Sequence, residues 1–253
     1  SNEEQDAQGS LKKLAEALDA DSATPKLQEP NRPEKPSGAL TADLVCQSVG
    51  HHLPDNAIIV DESITSGLML PTMTAGCPRH DYITLTGGGI GQGLPSAVGA
   101  AIACPDRPVI ALIGDGTSMY TIQSLWTMAQ EGLDVTIIIF NNASYSVLNI
   151  ELERVGAAKI GEKALSQLDL NGPVINFSQL AQSMGVHGTR ASTAEEMNKA
   201  LEYALSNKGP HLIEAMVPEA VTGIKRKILP WILNTAHLMP LPLSRALKKK
   251  MAP

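Results

Sequence analysis

The stretch 110-IALIGDGTSMYTIQSLWTMAQEGLDVTIIIFNNASYSV-147 decides how this chain folds. Two apolar runs each stop at small polar residues, the first at Gly114-Asp115-Gly116 and the second at Asn141-Asn142, with a helix-like segment between them. A strand, crossover helix and parallel strand connect with right-handed sense, so both strands end on one edge of their sheet. Asp115 and Asn142 therefore share a rim, and the carboxyl edge of an open α/β sheet is where ligands bind. A carboxylate and an amide oxygen are hard ligands, suited to Mg²⁺ or Ca²⁺ rather than zinc. The helix between them is expected to begin just after Gly116, around Thr117-Ser118, where free N–H groups and the positive dipole end favour an anion. Metal and phosphate together suit such a rim. Taken singly, Asp115 also reads as a helix cap and Asn142 as a turn residue.

Outward from this stretch the alternation continues. LTADLVCQSVGHHL from Leu40, LPSAVGAAIAC from Leu94, FSQLAQSMG from Phe177 and AEEMNKALEYALSNKG from Ala194 read as helices; AIIVD from Ala57 and HLIEAMV from His211 read as strands. Unbroken apolar strands between helices indicate a parallel sheet covered on both faces. The expectation is an α/β fold, a doubly wound parallel sheet with helices on both faces, over residues 38–218. Before it, Leu11 to Leu18 is a short amphipathic helix, and Asp19 to Ser37 carries four prolines with no hydrophobic period. Residues 1–37 thus look like the end of a preceding domain plus a linker. From Glu219 to Pro253 the pattern breaks into proline-punctuated pieces with Lys225, Arg226, Lys227, Arg245 and Lys248-Lys249-Lys250. That basic tail is expected to be a solvated or subunit-packing extension.

Composition narrows the function classes. With 43% apolar residues in 253 the chain can bury a substantial core, and a net charge of −6 argues against a general nucleic-acid binder. Cys46, Cys77 and Cys104 are odd in number, widely spaced and far from any histidine cluster, which points to plain thiols, a reducing cytoplasmic setting and no zinc site. No apolar run reaches membrane-spanning length. His51-His52 sits at a helix end, where histidine complements the dipole. Trp126 and Met128 are expected to serve packing.

LTGGGIGQGLPSAVGA packs five glycines into Gly87 to Gly93 and follows them with Pro95 at the start of a helix. Glycine permits positive φ and close backbone approach to a ligand. A nicotinamide dinucleotide site is the obvious alternative. However, Gly89 to Gly93 is GxGxG rather than GxGxxG, and Asp106 lies in a loop rather than at the end of a following strand.

GDG followed by NN, preceded by GGGIGQGLPSAVGAAIA, resembles the cofactor signature of thiamine diphosphate enzymes. Within that family the likeness is to acetolactate synthases and benzoylformate decarboxylases, and GDGTSMYTIQSLWTMAQ with NNASY looks more like the latter. The resemblance spans residues 38–218 and implies the C-terminal, diphosphate-binding domain of the family. It assigns Mg²⁺ to Asp115, Asn142 and the carbonyl of Ser144. It puts Gly114, Gly116, Thr117 and Ser118 around the diphosphate, with Tyr120 and Tyr145 nearby. It also places Ile90 and Gly91 against the cofactor, Ile90 where the family holds a large apolar side chain under it, although an isolated isoleucine also reads as core. DESITSG resembles a further diphosphate loop and brings in Thr65 and Ser66, which are otherwise ordinary loop hydroxyls. Two departures from the family pattern, Gln92 for phenylalanine and Ala143 for glycine, leave the metal site intact and bear on substrate.

For the whole enzyme the resemblance implies decarboxylation of a 2-oxo acid or carboligation. The activating glutamate would lie on a pyrimidine-binding domain of the same or another subunit of a homo-oligomer. No catalytic residue is then expected in this chain, which alone should be inactive. A non-catalytic binding or assembly module remains the second reading, and a nicotinamide-dependent oxidoreductase the third.

Overall fold

The computed structural model describes residues 6–22, 24, 28–155 and 161–219. Chain order runs through α1 (Ala7–Ala17), α2 (Ala42–His52), β1 (Ala57–Glu62), α3 (Leu70–Thr74), β2 (His80–Thr84), α4 (Gly93–Ala103), β3 (Val109–Gly114) and α5 (Asp115–Ser118). It continues through α6 (Ser124–Gln130), β4 (Val135–Asn141), α7 (Ser146–Arg154), α8 (Glu162–Leu165), α9 (Phe177–Ser183), β5 (His187–Ala191), α10 (Ala194–Ser206) and β6 (His211–Met216). The six strands form one all-parallel sheet in the order β2-β1-β3-β4-β6-β5. The expected α/β architecture with helices on both faces is therefore the one observed.

Side-chain alternation along the strands divides the core into two layers. Ile59, Ile110, Leu112, Ile138, Phe140 and Ile213 face α2, α3 and α10. Ile58, Val60, Ile113, Ile137, Ile139 and Leu212 face α4, α6 and α9. Each such side chain removed from water contributes about 1.5–3 kcal/mol to holding the sheet between its helices. Trp126 departs from the packing expectation: Leu125 and Met128 of α6 are fully buried, whereas Trp126, about 100° round the helix from Leu125, is 58% exposed.

Two strands are invisible to an apolar-run reading. HDYIT of β2 and HGTRA of β5 occupy the two edges of the sheet, where one side lacks a neighbour and half-polar sequences are tolerated. The crossover between β3 and β4 also differs from expectation, because it is two pieces rather than one helix. α5 closes after a single turn, and α6 starts only at Ser124. The reason lies in the hydroxyls. Thr117 Oγ1 donates to the Gly114 carbonyl at 2.8 Å and Ser118 Oγ to the Asp115 carbonyl at 2.7 Å, occupying acceptors a continuous helix would use. Three-residue turns carry the backbone from Thr117 to Ser124.

The proline-bearing segment is tied to the domain from Asn31 onward. Asn31 N donates to Gly76 O at 2.8 Å, Gln47 Nε2 to Glu34 O at 3.0 Å and Asn198 Nδ2 to Pro36 O at 2.9 Å. Its carbonyls, free of any ladder, thus find donors on α2 and α10, while its Asn31 amide reaches the loop after α3. α1 forms as expected and buries none of its residues. The basic residues of the tail lie outside the described residues, as do Ser1 to Gln5.

Candidate functional site

β1, β3 and β4 are consecutive neighbours, and each ends in polar residues at the same carboxyl rim: Asp61-Glu62, Gly114-Asp115 and Asn141-Asn142. Chain order reverses here, since β2 lies on one side of β1 and β3 on the other, which is where open α/β sheets bind ligands. A cleft opens at this point. Its walls are the loop after β1, with Ser63, Thr65 and Ser66, and the turn into α7, with Asn142, Ser144 and Tyr145; its floor is Gly114 to Thr117.

Asp115 organises the rim. Its Oδ2 accepts from Asn142 N at 3.0 Å and Ala143 N at 2.6 Å, and its Oδ1 accepts from Gly116 N at 2.7 Å. The carboxylate thus bridges the ends of two strands and is not the cap of α5, a position held by Gly114. It is 4% exposed, and no ion pair to it occurs among the described residues. Burial pushes its pKa up to about 6, against the opposing pull of the Gly116, Ala143 and Asn142 amides. A buried carboxylate without a cationic side chain is a group for which a divalent cation would remove the desolvation penalty.

Asn142 Oδ1 accepts from Ser144 N at 3.0 Å, so the turn role foreseen for this residue is present as well. Between them Ala143 adopts φ +53, in the left-handed region. Ile64, on the opposite wall, has the same φ of +53, an outlier for a β-branched side chain. Both walls of the cleft therefore carry backbone strain at a non-glycine residue, and such strain gathers at ligand sites. Gly116 is required for a different reason: a Cβ there would collide with Cε1 and Cδ1 of Tyr145, so glycine lets that ring close the cleft floor. Burial, then Tyr120 and Asp115, raise the pKa of the Tyr145 phenol, which keeps it neutral and able to donate a hydrogen bond.

Most of the residues singled out from sequence converge here. Thr65, Ser66, Gly114, Asp115, Gly116, Thr117, Asn142, Ser144 and Tyr145 all line the cleft. Ser118 lies behind it, fully buried with its hydroxyl on the Asp115 carbonyl, so its side chain does not face the ligand space. Gly91 and Tyr120 touch each other across the loop and crossover, since a Cβ on Gly91 would lie 2.8 Å from that of Tyr120. Ile90 is 45% exposed and is not core. Tyr120 is also exposed.

Three further groups escaped sequence reasoning. Glu62, 1% exposed, accepts from Gly91 N and Gly93 N. Asp61 accepts from Tyr82 Oη at 2.5 Å and from Ser63 N at 3.0 Å, bracing the Thr65 loop. Glu214, fully buried on β6, accepts from Asn141 Nδ2 at 2.8 Å and from Arg190 Nε at 3.1 Å. The signal for Glu62 was present: AIIVDE is an apolar strand ending in carboxylates, the same pattern as IALIGD. The bonding of Glu214 depends on the unrecognised edge strand β5 and was not legible.

The oxygen donors, the glycine-lined floor and the cation-free carboxylate fit a metal-bound diphosphate. Comparisons agree with that chemistry. Residues 69–215 match the C-terminal TPP-binding domain of thiamine pyrophosphate enzymes. A Mycobacterium tuberculosis protein assigned as an acetolactate synthase large subunit, IlvX, is 52% identical over 192 residues, covering 76% of this chain and 37% of that protein. Benzoylformate decarboxylase of Pseudomonas aeruginosa is 36% identical over 183 residues, covering 70% of this chain and 32% of that enzyme. The structure of the thiamine diphosphate-dependent 4-hydroxybenzoylformate decarboxylase of Rhodococcus jostii RHA1 superimposes with a TM-score of 0.69 at 33% identity, over 83% of this chain and 39% of that one. This chain thus spans 37% and 32% of the length of the two curated relatives.

Proposed function

Since the chain belongs to the thiamine pyrophosphate enzyme family, as its C-terminal TPP-binding domain, we propose that it anchors the Mg²⁺-bound diphosphate of thiamine diphosphate within a 2-oxo acid decarboxylase or an acetolactate synthase-like carboligase. The observation that carries this reading is the buried Asp115 carboxylate, joined to the Asn142 and Ala143 amides and lacking any ion pair among the described residues. Asp115, the Asn142 side chain and the Ser144 carbonyl would hold the metal. Thr117, the hydroxyls of Thr65 and Ser66, and the backbone around Gly116 would hold the phosphates, with Tyr145 closing one side. When bound, the cofactor supplies the electron sink that stabilises the carbanion left by decarboxylation.

The share of this chain is to fix the anionic end of the cofactor and exclude water from it. The activating glutamate and the pyrimidine-binding surface would come from another domain or subunit, so the chain alone would hold cofactor without turning over substrate. Oligomerisation and a cytoplasmic setting belong to the same proposal. Calorimetric titration of the chain with thiamine diphosphate, with and without Mg²⁺, tests it. Mg²⁺-dependent binding together with no release of CO₂ from benzoylformate or pyruvate is the expected result. Equal binding with EDTA present would remove the metal assignment, and turnover by the chain alone would remove the division of labour. A non-catalytic module would bind in the same way but stay inactive after a pyrimidine-binding domain is supplied.

A further inference from the structure

The glycine-rich segment before α4 has a loose end and a clamped end. Gly87 and Gly88 hold positive φ, and a Cβ added at either would meet nothing within 4 Å, whereas Gly91 and Gly93 are pressed against the rim. Glu62 makes the clamp. Its Oε1 accepts from Gly91 N at 2.5 Å and its Oε2 from Gly93 N at 2.7 Å, across 29 and 31 positions of sequence. Gly93 opens α4, an 11-residue helix whose own N-cap, Gln92, makes no side-chain cap bond. A carboxylate from the neighbouring strand therefore supplies the acceptor that the helix start lacks, and its negative charge lies at the positive dipole end. Thr121 Oγ1 holds the other side of the same loop, donating to Gly91 O at 2.8 Å. Between the loose and clamped ends stands Ile90, 45% exposed at the rim.

We propose that Glu62 is a positioning residue that fixes the Gly87–Gly93 loop, and with it Ile90, relative to the diphosphate cleft, and so tunes binding of the organic part of the cofactor without touching the phosphates. The inference rests on the thiamine diphosphate reading above. It requires only that the loop and the cleft are separable elements joined by β1: Glu62 ends that strand, its side chain serves the loop, and its backbone carbonyl lies 3.4 Å from Thr117 Oγ1, whose hydrogen goes to the Gly114 carbonyl at 2.8 Å on the cleft floor. One residue thus lies between the two halves of the site.

Two ligands separate the halves. Mg²⁺ with thiamine diphosphate engages both loop and cleft, while Mg²⁺ with inorganic diphosphate engages the cleft alone. Glu62→Gln replaces one acceptor by a donor facing an amide, and affinity for thiamine diphosphate is expected to fall about tenfold with diphosphate affinity within about twofold of wild type. Amide exchange at Gly91 and Gly93 should speed up in the same variant. Thr121→Val loosens the loop from its other side and should give the same selective loss should Glu62→Gln fold poorly. Ile90→Ala should reproduce the loss without faster exchange. Equal weakening of both ligands would reduce Glu62 to a helix cap and overturn the inference, as would unchanged affinity for both. Failure of the wild-type chain to bind either ligand would instead strike the functional reading, and this inference with it.

Discussion

Two buried carboxylates, Asp115 at the end of β3 and Glu214 within β6, are equally shielded from water and oppositely furnished. Glu214 has an arginine, an asparagine and a backbone amide, so although burial alone would raise its pKa, the bonds from Arg190, Asn141 and Ser178 hold it below the usual range. Among the described residues Asp115 has backbone amides only, and burial wins. The fold pairs Glu214 with Arg190 and gives Asp115 no ion pair among the described residues. That contrast distinguishes Asp115 from Glu214 more sharply than burial does, because both are under 5% exposed, and Glu62, which also has backbone amides only, differs from Asp115 in that its carboxylate lies at the start of α4.

The contrast can be broken from either side. Glu214→Ala should cost about 3 kcal/mol in urea unfolding, since it leaves a cavity and strands the buried Asn141 amide without its acceptor. It should leave Mg²⁺-dependent diphosphate binding nearly unchanged; a loss of binding larger than the loss of stability would merge the two sites. Asp115→Ala should do the reverse, weakening Mg²⁺-dependent binding at least about a hundredfold while circular dichroism shows the native sheet. Gly116→Ala should come next, with binding down about tenfold and a changed Tyr145 fluorescence, because the new methyl would collide with the Tyr145 ring.

The pH dependence carries opposite signs at the two sites. The lowered pKa of Glu214 means that its contribution is full above the unfolded value of about 4.3 and is lost as pH falls through the folded one. The stability gap between wild type and Glu214→Gln should therefore narrow between pH 7 and pH 3; a constant gap would show that the charge is irrelevant. For Asp115 the pKa is raised, so the protonated form is the favoured one and its contribution disappears as pH rises through about 6. The smallest effect is expected at Ala143. Its φ of +53 favours glycine, and Ala143→Gly should stabilise the chain by about 0.5 kcal/mol, the relief of strain being partly offset by the freer unfolded chain. A destabilised variant would mean that the methyl has a packing role.

The legible part of the site follows one rule. Apolar runs ending in polar residues exposed Asp115 and Asn142, and the four interior strands were readable because burial on both faces favours largely apolar sequence. Edge strands escape that demand, which hid β2 and β5 and with them the Tyr82 and Arg190 partners of Asp61 and Glu214. Thr117 and Ser118 carried a helix-start signal, but whether their hydroxyls served a ligand or the backbone depended on which carbonyls lay three residues back.

What the amino-acid sequence determined by itself was the parallel sheet, the shared rim and the oxygen chemistry on it, since these follow from side-chain period, handedness and ligand hardness. Only the tertiary structure decided that Glu214 meets Arg190 while Asp115 has no ion pair among the described residues, that Glu62 clamps the glycine loop, and that Ile90 stands exposed. Those outcomes depend on contacts between residues about thirty or more positions apart, whose distances are set by packing of the whole sheet rather than by local pattern.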